Sequence, residues 1–176
     1  GNDAADLNGD GWPEIFTTDM LPKDPEIWMR SIGEDKAEVY QIKEKFGYGD
    51  QYVRNHLQVN QAGKSFAEIA QYAGVYASDW SWSPLIFDFD NDGFTDVMGG
   101  GNKIMRNNGD MTFTPFTIGF TPGPVGDFNN DGLQDIYFTG NDVANKLYIN
   151  QSSFKFKDLG MIKVRIIIIE KAKTEK

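Results

Sequence analysis

Three short stretches of the chain carry acidic residues at a spacing that suits a hard cation. Each has the pattern D-x-[DN]-x-D-G-x-x-[DE] and runs directly into an apolar segment; the stretches are 6–14, 88–96 and 127–135. Ca²⁺ takes about six to eight oxygen ligands in flexible geometry. In a tight loop, side chains at positions 1, 3 and 5 converge on one point, position 7 offers its backbone carbonyl, and the acid at position 9 completes the set. The pattern therefore predicts about three calcium sites.

The predicted metal ligands occupy the same five positions of each loop. They are Asp6, Asn8, Asp10, Trp12 and Glu14 in the first loop, Asp88, Asp90, Asp92, Phe94 and Asp96 in the second, and Asp127, Asn129, Asp131, Leu133 and Asp135 in the third. Glycine at position 6 permits the positive φ angle that such a turn requires. Because the second loop has the most acids, we expect it to bind Ca²⁺ most tightly, and the first loop most weakly. Three divalent ions would offset most of the formal charge of −9.

Two other interpretations of these acidic loops are weaker. An EF-hand shares the first half of the pattern, but it requires an acid at position 12 and a helix on each side. Position 12 is Thr17, Gly99 and Phe138 here, and the flanking segments resemble strands. Simple surface turns without a ligand are the second alternative, and three copies in one register argue against it.

A second pattern repeats after each acidic loop and indicates what positions the loops. Short apolar segments that end in asparagine occur at 57–60, 104–107 and 147–150, and each leads through a polar turn to a phenylalanine-containing segment. All of these segments are rich in β-branched and aromatic residues with turn residues between them, which is typical of strands. The unit length of the second and third copies suits a four-stranded propeller blade.

These repeats predict an all-β fold, a partial β-propeller over residues 1–163. The blade units are 1–76, 77–121 and 122–163, and the first contains a short α-helical insertion at 20–54. Within it, Val39, Ile42 and Phe46 share one face of a helix, which we expect to pack against the sheet. Three blades are fewer than the roughly four to eight of a propeller, so we expect further blades in a longer parent chain. Residues 164–176 form an atypical charged tail.

The acidic loops resemble the FG-GAP/VCBS repeats that bind Ca²⁺ in integrin-type β-propellers. The segments 18–22, 51–60 and 77–84 are similar to bacterial VCBS-repeat proteins related to cartilage acidic protein and the ASPIC/UnbV group. The similarity extends from about Gly1 to Leu159 and includes the insertion. It implies an extracellular, cell-surface or periplasmic propeller that forms part of a longer protein.

Composition and motifs exclude several functional classes. A formal charge of −9 argues against a nucleic-acid partner, and the absence of cysteine excludes disulfides and thiolate chemistry. No apolar run approaches the roughly 18 residues of a transmembrane segment. His56 is the only histidine, and neither a nucleophile elbow nor a phosphate-binding loop is present. We expect Trp80 and Trp82 to pack between blades rather than to form a sugar-stacking surface.

The function that these features favour is binding rather than catalysis. We expect a calcium-binding extracellular module that serves ligand binding, adhesion or protein–protein interaction, with a protein or a glycan as ligand. The alternative is part of a propeller enzyme, such as a lyase or glycosidase, whose catalytic residues lie in other blades.

Overall fold

Three four-stranded antiparallel sheets make up most of the computed structural model, which describes residues 1–31, 36–49, 52–100, 103–118, 123–139 and 144–161. In each sheet the strands are neighbours in chain order. The first sheet contains β1 (Asn2–Ala5), β2 (Glu14–Thr17), β3 (His56–Asn60) and β4 (Phe66–Glu68); the second contains β5 (Leu85–Phe87), β6 (Asp96–Gly100), β7 (Lys103–Asn107) and β8 (Phe113–Thr117); the third contains β9 (Val125–Gly126), β10 (Asp135–Phe138), β11 (Lys146–Asn150) and β12 (Phe156–Met161).

The predicted all-β class is confirmed, and each sheet lies within one predicted repeat unit. Every acidic loop connects the first and second strands of its sheet, and every asparagine turn connects the third and fourth. The register is equivalent in the three sheets, because the asparagine that ends the third strand pairs with the phenylalanine that begins the fourth. These pairs are Asn60 with Phe66, Asn107 with Phe113, and Asn150 with Phe156. No sheet closes on itself within the described ranges.

The hydrophobic core lies between successive sheets. One cluster joins the first and second sheets and includes Leu7, Phe16, Leu57, Val97, Met105 and Phe113. The other joins the second and third sheets and includes Phe89, Met98, Ile104 and Ile136. Val97 and Met98 are adjacent in β6 but belong to different clusters, because successive residues of a strand point to opposite faces. The middle sheet is therefore covered on both faces.

The insertion in the first sheet contains two helices, α1 (Pro25–Ser31) and α2 (Ala37–Lys45). The helix predicted around Val39 and Ile42 is confirmed, but its predicted packing against the sheet is wrong. α2 has no buried residue, and Phe46 at its end is 74% exposed. The space beside β3 is filled instead by α3 (Ala70–Ala73), whose two alanines are buried. Among the described helices, none has the length and apolar character needed to cross a membrane.

The segment before β5 also departs from expectation. Trp80 and Trp82 are both exposed, so the prediction that they pack between sheets is wrong. A contact between two serine side chains stabilises the turn that carries them: Ser81 is buried, and its hydroxyl lies 2.6 Å from that of Ser78. Asp79, in the same turn, has a positive φ of 59°. This arrangement directs the small side chains inward and leaves both indoles outside. The predicted tail at 164–176 lies outside the described residues.

Candidate metal centre

The three acidic loops share one backbone conformation, which is set by the aspartate at position 1. In the second loop, the two oxygens of Asp88 accept hydrogen bonds from the N–H groups of Asp92 (3.2 Å) and Gly93 (2.9 Å). The equivalent bonds join Asp6 to Asp10 (3.1 Å) and Gly11 (2.8 Å), and Asp127 to Asp131 (3.0 Å) and Gly132 (2.9 Å). The aspartate at position 5 in turn accepts the N–H of position 7. The loops are thus folded by their own carboxylates.

Left-handed backbone at position 6 explains the glycine there. Gly11, Gly93 and Gly132 have φ angles of 87°, 92° and 88°. A Cβ atom at any of them would meet no neighbour within 4 Å, so conformation rather than crowding requires glycine. Position 4 is also left-handed, and it is occupied by Gly9, Asn91 and Asn130. This second requirement was readable in the sequence, since glycine and asparagine tolerate that conformation best.

The acid at position 9 ties each loop to the third strand. Asp96 is fully buried, and its two oxygens accept the N–H groups of Phe89 (3.0 Å) and Asn107 (2.8 Å). Glu14 and Asp135 are equally buried and hold equivalent backbone groups. Burial raises the pKa of Asp96 to about 7, and burial also raises the pKa of Glu14. Burial therefore disfavours the charged form of these carboxyls, and a positive charge held nearby would stabilise that form.

The second loop brings three carboxylates into one cluster. Oxygens of Asp88, Asp90 and Asp96 lie within 4.8 Å of one another. Asp90 is 7% exposed, and in the described part of the chain its Oδ1 atom has no hydrogen-bond partner. Burial raises the pKa of Asp90, with the neighbouring charges of Asp92 and Asp88 acting in the same direction. A buried anionic oxygen without a partner is costly, and a cation is the partner that relieves this cost most directly.

A single arginine outside the loop compensates part of this negative charge. Arg106 donates from Nε to Asp90 Oδ2 at 2.8 Å and from Nη2 to Asp92 Oδ2 at 2.7 Å. The equivalent residues of the first and third sheets are Val59 and Ile149, which carry no charge. Arg106 is absent from the predicted site residues because its partners lie 14 and 16 positions away in sequence. The charge at a position where the other repeats are apolar was the available signal.

The first and third loops use an asparagine amide where the second uses Arg106. In the first loop, Nδ2 of Asn8 lies 3.1 Å from Asp10 Oδ2 and 3.5 Å from Glu14 Oε1, so positions 3, 5 and 9 do converge. In the third loop, Nδ2 of Asn129 donates to Asp131 Oδ2 at 2.7 Å. Only the second loop combines carboxylates at positions 1, 3 and 9.

In the first and second loops, the aromatic ring at position 7 lies over the neighbouring asparagine turn. A Cβ atom at Gly63 would come within 2.8 Å of the Trp12 ring, and one at Gly109 within 2.9 Å of the Phe94 ring. The Trp12 and Phe94 rings therefore lie directly over these glycines and pack the first and second loops against their asparagine turns. That the backbone carbonyls of Trp12, Phe94 and Leu133 are metal ligands stays a prediction.

Comparison with known proteins gives no relative of this chain. No protein-family model, no curated protein and no solved structure matches it. Its function is therefore inferred from its own geometry.

Proposed function

We propose that this chain is a calcium-binding β-propeller module of the FG-GAP/VCBS type that binds a protein or glycan ligand outside the cytoplasm. Three four-stranded sheets that pack face to face in chain order support the propeller, since this is how blades are arranged. The order of the strands, with an acidic loop between the first two of each sheet, supports the repeat type. Further sheets of the same kind are proposed as part of the parent protein.

The observation that carries the calcium proposal is the environment of Asp90. Its Oδ1 atom is buried, lacks a hydrogen-bond partner among the described residues, and belongs to the cluster with Asp88 and Asp96. Backbone hydrogen bonds account for Asp88 within the loop, and for Asp96 from Phe89 in the loop and Asn107 on β7. They leave Asp90 Oδ1 without a function inside the loop, whereas a bound cation gives it one.

The donor set favours calcium over softer metals. Only carboxylate, amide and carbonyl oxygens are available in the loops, and hard cations prefer such ligands. In each loop the side chains at positions 1, 3, 5 and 9 and the carbonyl at position 7 would hold the ion. Calcium tolerates an irregular set of this kind better than magnesium, which requires near-octahedral geometry. The positive charge of the ion would stabilise the ionised form of the buried carboxyls.

A location outside the cytoplasm follows from the expected affinity. Exposed loops with three or four acids resemble extracellular modules, whose dissociation constants are about 0.1–1 mM. Such loops fill where calcium is millimolar and remain nearly empty at cytosolic concentrations. We therefore place the module at the cell surface, in the periplasm or outside the cell.

Exposed apolar side chains support a binding role. Trp80 and Trp82 project from a turn that is fixed by buried serine contacts, and exposed indoles stack well on sugar rings. The insertion exposes Trp28 and Phe46 as well. The acids with raised pKa values, Glu14, Asp90 and Asp96, all lie in the loops, where the ligand role accounts for them. These features favour a ligand-binding module over an enzyme.

The direct test is calorimetric titration of Ca²⁺ into the wild-type chain and the Asp90→Asn variant. We expect at least about a tenfold loss of affinity at one site, since a charged oxygen ligand is worth more than about 1.4 kcal/mol. Glu38→Gln, which removes an exposed acid from α2, is the matched control and should change nothing. Equal isotherms for wild type and Asp90→Asn would contradict a calcium site at this loop.

A further inference from the structure

The turn asparagine of one sheet holds the acidic loop of the preceding sheet. Nδ2 of Asn107, in the second sheet, donates to the carbonyl oxygen of Leu7 in the first loop at 2.9 Å. Nδ2 of Asn150, in the third sheet, donates to the carbonyl oxygen of Phe89 in the second loop at 2.9 Å. Both asparagines are buried, at 1% and 2% exposure. The two contacts between sheets are therefore equivalent, and both are shielded from water.

Each of these carbonyls lies on the peptide that leads into a predicted metal ligand. The peptide that carries the Leu7 carbonyl continues into Asn8, at position 3 of the first loop, and that of Phe89 continues into Asp90, at position 3 of the second. The carbonyl of Asp90 also accepts the N–H of Ser153, from the turn of the third sheet, at 3.1 Å. The turn of the following sheet thus orients the backbone at position 3.

The same asparagines are bound to the acid at position 9 of their own loop. The N–H of Asn107 donates to Asp96 Oδ1 at 2.8 Å, and the N–H of Asn150 donates to Asp135 Oδ1 at 2.8 Å. Both acids are fully buried, and both are predicted metal ligands. The backbone and the side chain of one asparagine therefore connect position 9 of its own loop with position 3 of the loop before it.

We propose that Asn107 and Asn150 are positioning residues that couple calcium binding in neighbouring loops, so that an ion in one loop strengthens binding in the next. The coupling rests on the proposed calcium sites. An ion bound to Asp96 fixes the carboxylate that holds the backbone of Asn107, and the Asn107 side chain then keeps the peptide before Asn8 in place. The first loop therefore loses less conformational freedom when its own ion binds. Linkage makes the effect mutual.

Charge repulsion between the ions acts in the opposite direction to this coupling. Two divalent ions repel each other through space, which lowers the affinity for the second ion, and salt screens the repulsion. Ordering through the asparagine raises the affinity, and salt affects it little because the hydrogen bonds are buried. We therefore expect a net positive coupling of about fivefold in about 1 M KCl, where charges are screened beyond about 3 Å.

The fluorescence of Trp12 can report on the first site alone. Trp12 is at position 7 of the first loop, and the chain has three other tryptophans, at Trp28, Trp80 and Trp82. All three are exposed, so their replacement by phenylalanine should leave the core intact. This background, called the Trp12 reporter chain, is the starting protein for every titration.

The first measurement is a Ca²⁺ titration of the Trp12 reporter chain in about 1 M KCl, with and without Asp90→Asn at the second site. Weakening the second site should raise the calcium midpoint of the Trp12 signal about twofold, as a fivefold coupling shared by two similar sites predicts. Glu38→Gln removes the same charge from α2 and should leave the midpoint unchanged. A midpoint that Asp90→Asn leaves unchanged or lowers would overturn the coupling.

Removal of the asparagine tests its part in the coupling. In Asn107→Ala the shift caused by Asp90→Asn should disappear. Asn60→Ala is the matched control, since Asn60 makes the same two contacts within its sheet and leaves the bond from Asn107 to the first loop intact. The partners within the sheet are Pro13 and Gly63 for Asn60, and Thr95 and Gly109 for Asn107. A shift that persists in Asn107→Ala, or that disappears in both variants, would overturn the role of Asn107.

The reciprocal titration keeps every asparagine in place. Replacing Trp12 of the reporter chain by phenylalanine and Phe94 by tryptophan moves the signal to the second loop. Asp10→Asn at the first site should then raise the midpoint of the second site by the same factor, because coupling between two sites is mutual. Unequal factors would mean that the substitutions act by local distortion, and would overturn the coupling.

Calorimetry separates this coupling from the calcium proposal on which it rests. Calcium that binds to the loops independently, with no shift between them, would overturn the coupling alone and leave the calcium sites in place. The absence of any calcium binding, in both the heat and the Trp12 signal, would overturn both. Binding with a mutual shift that depends on Asn107 is the expected result.

Discussion

The first and second acidic loops have the same backbone and differ in which side chain donates hydrogen bonds to their carboxylates. In both, the position-1 aspartate accepts the N–H groups of positions 5 and 6, and the position-6 glycine is left-handed. In the first, the amide of Asn8 bridges the acids at positions 5 and 9. In the second, Arg106 bridges the acids at positions 3 and 5 from the neighbouring strand.

The difference shows that loop shape and loop charge are set independently. Shape comes from local hydrogen bonds within nine residues, whereas charge depends on a residue that lies on β7. Counting acids alone predicts the tightest site at the second loop. Because Arg106 cancels one of its charges, we now expect the first and second loops to bind Ca²⁺ with similar affinity.

Removing the arginine should have the largest effect on this comparison. In Arg106→Met, the second loop regains its full negative charge, so we expect about tenfold tighter Ca²⁺ binding there. Without calcium the same change leaves Asp90 Oδ2 without its donor, at a cost of about 1–2 kcal/mol. Titration calorimetry and melting in chelator measure the two effects. If affinity falls or is unchanged, Arg106 supports the site rather than opposing the ion.

Changing the shared backbone should affect both loops alike. Gly11→Ala and Gly93→Ala each place a Cβ atom on a left-handed residue, with space for the atom itself. We expect each to destabilise the chain by about 1 kcal/mol. Urea unfolding in chelator is the measurement. A cost confined to one loop would show that the two backbones are not equivalent.

An arginine on β3, beside the first loop, should reproduce part of the effect that Arg106 has on the second loop. Val59 occupies the position of Arg106, so Val59→Arg should lower the calcium affinity of the first site by about threefold, the effect being reduced by solvent screening. Val59→Gln is the control for side-chain length. Equal affinities in both variants would mean that charge at this position does not control binding.

Local features were the most predictable part of the molecule. The three loops, the strands that flank them and helix α2 follow from turn residues and apolar periodicity, because short-range hydrogen bonding determines them. The two left-handed positions of each loop also follow from residue type.

Features that depend on distant contacts escaped prediction. The apolar face of α2 suggested core packing, but periodicity does not reveal that α3 already fills the space beside β3. Helix α1 was not predicted, and neither was the bridge from Arg106. The structural role of Asp96 was also missed, since its backbone partners Phe89 and Asn107 become neighbours only when the sheet forms.

The most direct test of the account is a melting curve in millimolar CaCl₂ against excess chelator. With dissociation constants near 0.1 mM, each of three sites adds about 1.4 kcal/mol at about 1 mM free Ca²⁺. The total of about 4 kcal/mol predicts a rise of roughly 8–16 °C for a chain of this size. The combined variant Asp10→Asn, Asp92→Asn, Asp131→Asn should lose most of that rise. A wild-type shift below about 2 °C would contradict the claim that the acidic loops are structural calcium sites.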